Sequence, residues 1–189
     1  VFSERIIEPL GLKHTDTYIT DANREFAVTT YSKKGNGDFA PVPGYLWSDP
    51  EEYPLMYRPS LYSSSEDFAV FMQMLANGGT YKGEKYLGEG TVAMLHADQQ
   101  DEVSIIDFER DAYPYNLGYG YGLGFRTLKT QKYGHNGHIG SFGWTGGFGT
   151  WGEADPVAKC SVVYMHNMIP NEEVYHHHRV RAVAYGCLF

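Results

Sequence analysis

Histidine is the side chain best suited to hold a metal or move a proton near neutral pH, and this chain carries 8 of them. Three are consecutive: His176, His177 and His178. Helical neighbours point about 100° apart, and side chains that converge on one ion sit three or four residues apart. The position four beyond His176 is Val180, and four beyond His178 is Ala182. The run therefore reads as a solvated helix face rather than a metal centre. His135 and His138 show a His-x-x-His spacing, but no cysteine or acidic ligand follows closely. A turn leading into a strand is the better reading there, and no metal or cofactor is expected.

Phosphate-cradling and nucleophilic chemistry leave little trace. Gly118, Gly120, Gly122 and Gly124 imitate a dinucleotide loop, but the spacing is wrong and no helix follows to offer its N-terminus. There is no Gly-x-Ser-x-Gly elbow and no Ser-x-x-Lys; Ser32 is followed by lysine one and two residues on, not three. No catalytic residue is assigned within this sequence. The remaining candidate is Ser141-Phe142-Gly143-Trp144-Thr145-Gly146-Gly147-Phe148-Gly149-Thr150. Its glycines would let a strand backbone approach a ligand closely. Exposed edge amides can bind an acyl carbonyl or form half of an oxyanion hole. A plain tight hairpin explains the same residues equally well.

The elements that would position this stretch follow from periodicity. Residues 2–8 form the end of a helix, stopped at Pro9. Residues 12–60 are weakly periodic and rich in proline, with the Gly35-Asn36-Gly37 turn; a long irregular segment with short strands is expected. Residues 64–77 are the clearest helix: Ser64 as N-cap, Asp67 in capping-box position, and Phe68, Phe71, Met72 and Leu75 on one stripe. Gly78-Gly79 supplies its stop. A shorter helix fits 89–97, and 98–116 reads as charged and turn-rich. From Tyr119 to Arg126 large residues alternate with glycine, as in one strand. Further strands end near Glu153 and span 158–166, Asp155-Pro156 makes a turn, and 172–185 closes as a helix. The pattern predicts an α+β fold, an antiparallel sheet with flanking helices: one domain over 1–189, helices and loops in 1–117, antiparallel strands and the last helix in 118–189.

Composition narrows the function. The chain has 189 residues, 42% hydrophobic and 20% charged, enough for a sizeable core. Lys and Arg total 15 against 23 Asp and Glu, a net charge of −8, which disfavours nucleic acid as a partner. No run of about 18 apolar residues offers a membrane span. The 2 cysteines form no disulfide framework. Aromatic content is high, with 16 Tyr, 10 Phe and 3 Trp; it suits packing between strands and also an aromatic-lined cleft.

Several motifs together resemble the serine β-lactamase-like family, which includes class C β-lactamases, DD-peptidases and β-lactamase-fold esterases. They are Ile6-Ile7-Glu8-Pro9-Leu10-Gly11-Leu12, Leu61-Tyr62-Ser63-Ser64-Ser65-Glu66-Asp67-Phe68, Met74-Leu75-Ala76-Asn77-Gly78-Gly79, Tyr119-Gly120-Tyr121-Gly122-Leu123-Gly124-Phe125, and Gly143-Trp144-Thr145-Gly146-Gly147-Phe148-Gly149-Thr150 ending at Asp155-Pro156. They occur in family order and cover nearly the whole chain. The resemblance is to the C-terminal part of the family, downstream of its Ser-x-x-Lys and Tyr-x-Asn motifs. It implies a serine hydrolase acting on small-molecule ester, amide or peptide substrates through an acyl-enzyme, with this portion inactive alone. A non-catalytic binding module with the same fold is the alternative.

The resemblance also implies that Trp144, Thr145 and Gly146 stand where the family carries Lys-Thr-Gly, with Gly147 N–H as the oxyanion donor. A rival register puts Ser141-Phe142-Gly143 there; the spacing to Asp155-Pro156 favours the first. Neither register supplies the lysine, which points away from a true β-lactamase. Finally, the family pairs its first strands with the last one of this sheet. The strand at 158–166 is therefore expected as an apolar edge, completed by a second copy or by an N-terminal segment. The resemblance leaves the compartment open.

Overall fold

The computed structural model describes residues 1–17, 19, 21, 23–42, 61–111 and 114–188. Proline-rich residues 43–60, part of the long segment expected to be irregular, lie outside them. The chain opens with a π-helical stretch, Ser3–Ile7, running into the short helix α1 (Glu8–Leu10), which Gly11 ends in the left-handed region at φ 67°. Then come strands β1 (Tyr31–Lys33) and β2 (Phe39–Pro41) and helix α2 (Ser65–Ala76). The hairpin β3 (Thr80–Tyr81) and β4 (Glu84–Lys85) leads to α3 (Glu89–His96) and α4 (Glu102–Asp111). The main sheet follows: β5 (Tyr119–Tyr121), β6 (Arg126–Leu128), β7 (Phe142–Thr145), β8 (Trp151–Asp155) and β9 (Cys160–Tyr164). Strand β10 (Met168–Ile169) and helix α5 (Glu173–Gly186) complete the described chain. No helix among the described residues is long and apolar enough to cross a membrane.

The five strands β5 to β9 pair antiparallel in chain order. A second sheet, β10-β1-β2, contains a parallel pairing of Tyr31 with Met168, tying the early segment to the end of the chain. Helix α2 lies on the sheet. Its Met72, Met74 and Leu75 join Leu10, Leu12, Val92, Phe142 and Ala154 in one buried core. The α2 start differs from a reciprocal capping box. Ser64 accepts from the Asp67 N–H at 3.1 Å, but the Asp67 carboxylate turns away to accept from His14 N–H at 2.6 Å and Thr15 Oγ1 at 2.9 Å. It thereby pins the segment after α1 to α2. Ser64→Ala should cost about 1 kcal/mol, and Asp67→Ala about 2–3 kcal/mol, because two charge-assisted bonds are lost and Thr15 is buried; urea midpoints measure both.

Two expectations are corrected. Residues 102–111 form a helix, where a turn-rich stretch is expected from composition. Its apolar residues Val103 and Ile106 are largely exposed, so no buried stripe marked it. The alternation from Tyr119 to Arg126 is not one strand. Gly122 N–H bonds Phe125 O at 2.8 Å, and Gly124 adopts φ 98°, so the chain reverses between β5 and β6. Gly122 also lies under α3, where a Cβ would meet Leu95 O at 2.4 Å. The turn thus demands glycine twice, once for conformation and once for space.

Candidate active-site edge

The candidate stretch occupies β7 and the turn after it. Phe142 is fully buried, stacked on His96 at 4.3 Å. Gly143 faces Glu153 across the ladder, where a Cβ would come within 2.0 Å of Gly152 O. Trp144 pairs with Gly152 and Thr145 with Trp151. Gly146 N–H then bonds Thr150 O at 2.8 Å, and Gly149 N–H bonds Gly146 O at 3.0 Å.

This strand is not at the margin of the sheet, as exposed edge amides would require; it is third of five. Its far half nevertheless outruns its neighbour. Strand β6 pairs Arg126 with Gly143 and Thr127 with Phe142, then bends away. Antiparallel strands direct successive residues alternately to the two sides. The Gly146 bond to Thr150 fixes the phase, so Trp144 and Gly146 address β8. Thr145 N–H and C=O therefore point to the other side, where β6 has already ended. Among the described residues no strand lies beside β7 there. Gly147 is exposed, and a Cβ built on it meets nothing among the described residues within 4 Å. The result is a short open edge of backbone, flanked by the Trp144 ring, 41% exposed.

A buried polar lattice holds this hairpin. Glu153 is 2% exposed; it accepts from the Tyr185 hydroxyl at 3.1 Å and faces Arg181 Nε at 3.3 Å. Arg181 Nη1 donates to His135 Nδ1 at 2.8 Å, and His135 Nε2 donates to Leu117 O at 2.7 Å. Burial works against the Arg181 charge, but Glu153 overcompensates and raises its pKa. Burial and the Glu153 charge raise Tyr185 as well. The carboxylate of Asp155, fully buried, accepts from Val157 N–H at 2.9 Å, Ala158 N–H at 2.8 Å and His138 Nδ1 at 2.8 Å. Burial pushes the Asp155 pKa up, yet the Ala158 and His138 bonds outweigh it and hold the group below its usual range. This is the physical basis of the Asp155-Pro156 turn.

The histidines separate as their spacing requires. His135 goes to Arg181 and His138 to Asp155. His176 meets His166 at 5.1 Å between ring centres, and His178 meets Tyr115 at 4.8 Å. His177 corrects the expectation of a solvated face, for it is fully buried. Its Nε2 donates to Gly149 O at 2.8 Å, and its Nδ1 accepts from the Tyr115 hydroxyl at 3.1 Å. It thus ties α5 to the turn that carries Gly147. Among the described residues no three His, Cys, Asp or Glu side chains converge on a metal position.

Burial drives the His177 pKa from 6.5 down to about 4. The folded state keeps the ring neutral, whereas the unfolded chain takes up a proton near 6.5. The associated stability is therefore whole above pH 6.5 and is lost as pH falls toward about 4, by at most about 3 kcal/mol. Urea midpoints should decline across that window, and less steeply in His177→Gln. A midpoint constant down to the foot of the window would contradict this role.

The five-stranded antiparallel sheet with α2 on it matches the C-terminal half of β-lactamase-fold proteins. The Beta-lactamase family profile matches residues 1–185, so the chain belongs to that family. Protein Rv1367c of Mycobacterium tuberculosis (strain ATCC 25618 / H37Rv) is 26% identical over 188 residues, covering 92% of this chain and 44% of that protein. Among solved structures, EstCE1, a hydrolase with promiscuous acyltransferase activity, superposes with a TM-score of 0.75 at 22% identity, over 98% of this chain and 50% of that one. The LovD6 mutant of simvastatin synthase (LovD) from Aspergillus terreus gives a TM-score of 0.82 at 15% identity, over 99% and 49%. The chain thus spans about half the length of the relatives it matches, as the motif order implied.

Of the sequence candidates, Trp144 and Thr145 lie in β7 and Gly146 and Gly147 in its turn, close together by chain continuity. Glu153, Arg181 and Tyr185 were not among the candidates. Their only sequence signal was an acid inside the short strand Trp151–Asp155 and an arginine within the closing helix.

Proposed function

We propose that this chain is the C-terminal half of a serine hydrolase or acyltransferase acting on ester or amide carbonyls. In the complete protein a serine hydroxyl, contributed by the half not present here, attacks the acyl carbonyl. The carbonyl oxygen becomes an oxyanion, the alcohol or amine leaves with a proton, and an ester to serine remains. Water then releases the acid, or a second alcohol takes the acyl group. The open backbone at Thr145–Gly147 is the observation that carries this reading. Two N–H groups aimed at one point stabilise an oxyanion without reorganising, and the Gly147 N–H is this half's donor. Trp144 flanks the acyl chain. The missing lysine of the Lys-Thr-Gly position favours esters or peptides over β-lactams.

The other half would also complete the sheet. Strand β9 is last in the sheet order, and its residues are all partly exposed. An apolar strand with one open edge recruits a partner strand. Residues 1–189 alone should therefore dimerise at high concentration, and a clean monomer by light scattering would count against this.

The function itself is tested with a serine-directed fluorophosphonate. The isolated chain should take up no label, while the protein carrying its upstream half should be labelled once. Stoichiometric labelling of residues 1–189 alone would overturn the division of labour.

A further inference from the structure

Arg126 opens β6 beside the open edge, and its chemistry is unfinished. It is 5% exposed. Its Nη1 donates to Asn116 Oδ1 at 2.6 Å, while its Nη2 is buried without a hydrogen-bond partner among the described residues. No carboxylate among the described residues lies within salt-bridge distance of it. A buried guanidinium without a counter-charge is costly, and unpaired buried donors are rare in folded proteins.

Aromatic rings supply part of the compensation. Tyr115 lies 3.9 Å from the guanidinium, Trp144 5.1 Å and Tyr119 5.6 Å. Glu173 adds a favourable charge without coming within salt-bridge distance, and Glu153 already serves Arg181 and Tyr185. The Tyr119 hydroxyl, buried and without a hydrogen-bond partner among the described residues, is a second donor in want of an acceptor. Of the three rings around Arg126, Trp144 is the one that reaches solvent, and it opens the Thr145–Gly147 edge.

We propose that Arg126 receives the carboxylate of an acidic substrate, so that the preferred acyl donor is a half-ester or half-amide of a dicarboxylic acid. The reactive carbonyl lies at Gly147, the chain runs along the Trp144 ring, and the far carboxylate pairs with Arg126 Nη2. The four residues from Gly143, which faces Arg126, to Gly147 span about 13 Å of strand, and the arginine side chain shortens the gap. A spacer of several carbons fits. The inference rests on the proposed acyl-transfer reading.

The test compares two substrates on the complete protein: the p-nitrophenyl half-ester of suberic acid and its methyl-capped diester. The half-ester should show a kcat/KM at least tenfold higher. In Arg126→Gln the ratio should fall to about one, and Arg126→Lys should keep part of it. A ratio tolerates any loss of folded protein in the variant. The wild-type comparison needs no variant at all. Equal kcat/KM for the two esters in the wild type would overturn the inference and leave the acyl-transfer reading intact. A preference that survives Arg126→Gln would overturn it too, placing the carboxylate elsewhere. Release of p-nitrophenol from neither ester would overturn the acyl-transfer reading, and the inference with it.

Discussion

Replacing Gly147 by proline should lower the turnover of the complete protein by ~10²–10³-fold while leaving the fold in place. Proline removes the one N–H assigned to the oxyanion. The cost of losing such a donor is large because the negative charge develops only in the transition state, where no water is positioned to replace the bond. The surroundings make the substitution informative. Among the described residues nothing lies within 4 Å of a Cβ at Gly147, and no backbone bond uses its N–H; the turn closes instead through Gly146 and Gly149. Gly147→Ala keeps the N–H and adds a methyl to open space, so its kcat should fall far less. Steady-state kinetics with an activated ester, together with thermal melts of both variants, separates a lost donor from a lost fold. Equal losses in the two variants would show that bulk at this position matters and the N–H does not.

The largest effect on stability is expected at Arg181. Arg181→Met removes the only cation within salt-bridge distance of Glu153 among the described residues, and both side chains are 3% exposed. Breaking a buried pair from one side leaves a stranded charge, which costs about 3–5 kcal/mol. The same change strands His135 Nδ1, now served by Arg181 Nη1. The double variant Arg181→Met, Glu153→Gln should recover much of the loss, because no buried charge remains and glutamine can still accept from Tyr185. Denaturant midpoints across this cycle give the coupling. Additive losses would mean that the two residues do not act as a pair. Because Glu153 faces Gly143 across the ladder, the single variant should also weaken ester turnover by loosening the hairpin.

Much of the framework was legible because local rules and burial agree there. The α2 stripe is an instance: Met72 and Leu75 fall on it, and both are almost wholly buried. The 89–97 helix is observed as Glu89–His96 for the same reason. Agreement failed where one signal acted alone. Helix α4 has little burial to support its period. In 119–126 the period of two ran on through a turn whose cause, the Leu95 carbonyl over Gly122, lies in another helix. The glycine-rich hairpin could be located from its residue types, and the family resemblance chose its register. What surrounds it could not. Glu153 pairs with a residue 28 positions away in the last helix, and Arg126 owes its importance to what it lacks. His177 seemed part of a surface run because three like residues in a row hide the fact that each points a different way.

On the proposed reading, this chain supplies the oxyanion edge of an acyl-transfer site whose nucleophile lies upstream. The most direct measurement traps the acyl-enzyme on the complete protein with a slow ester, then maps the modified serine by peptide mass spectrometry. One acylated serine is expected, located before Val1 and followed three residues on by lysine. An acyl group on a serine within residues 1–189 would contradict it, and so would a complete protein that carries that upstream serine yet forms no acyl-enzyme.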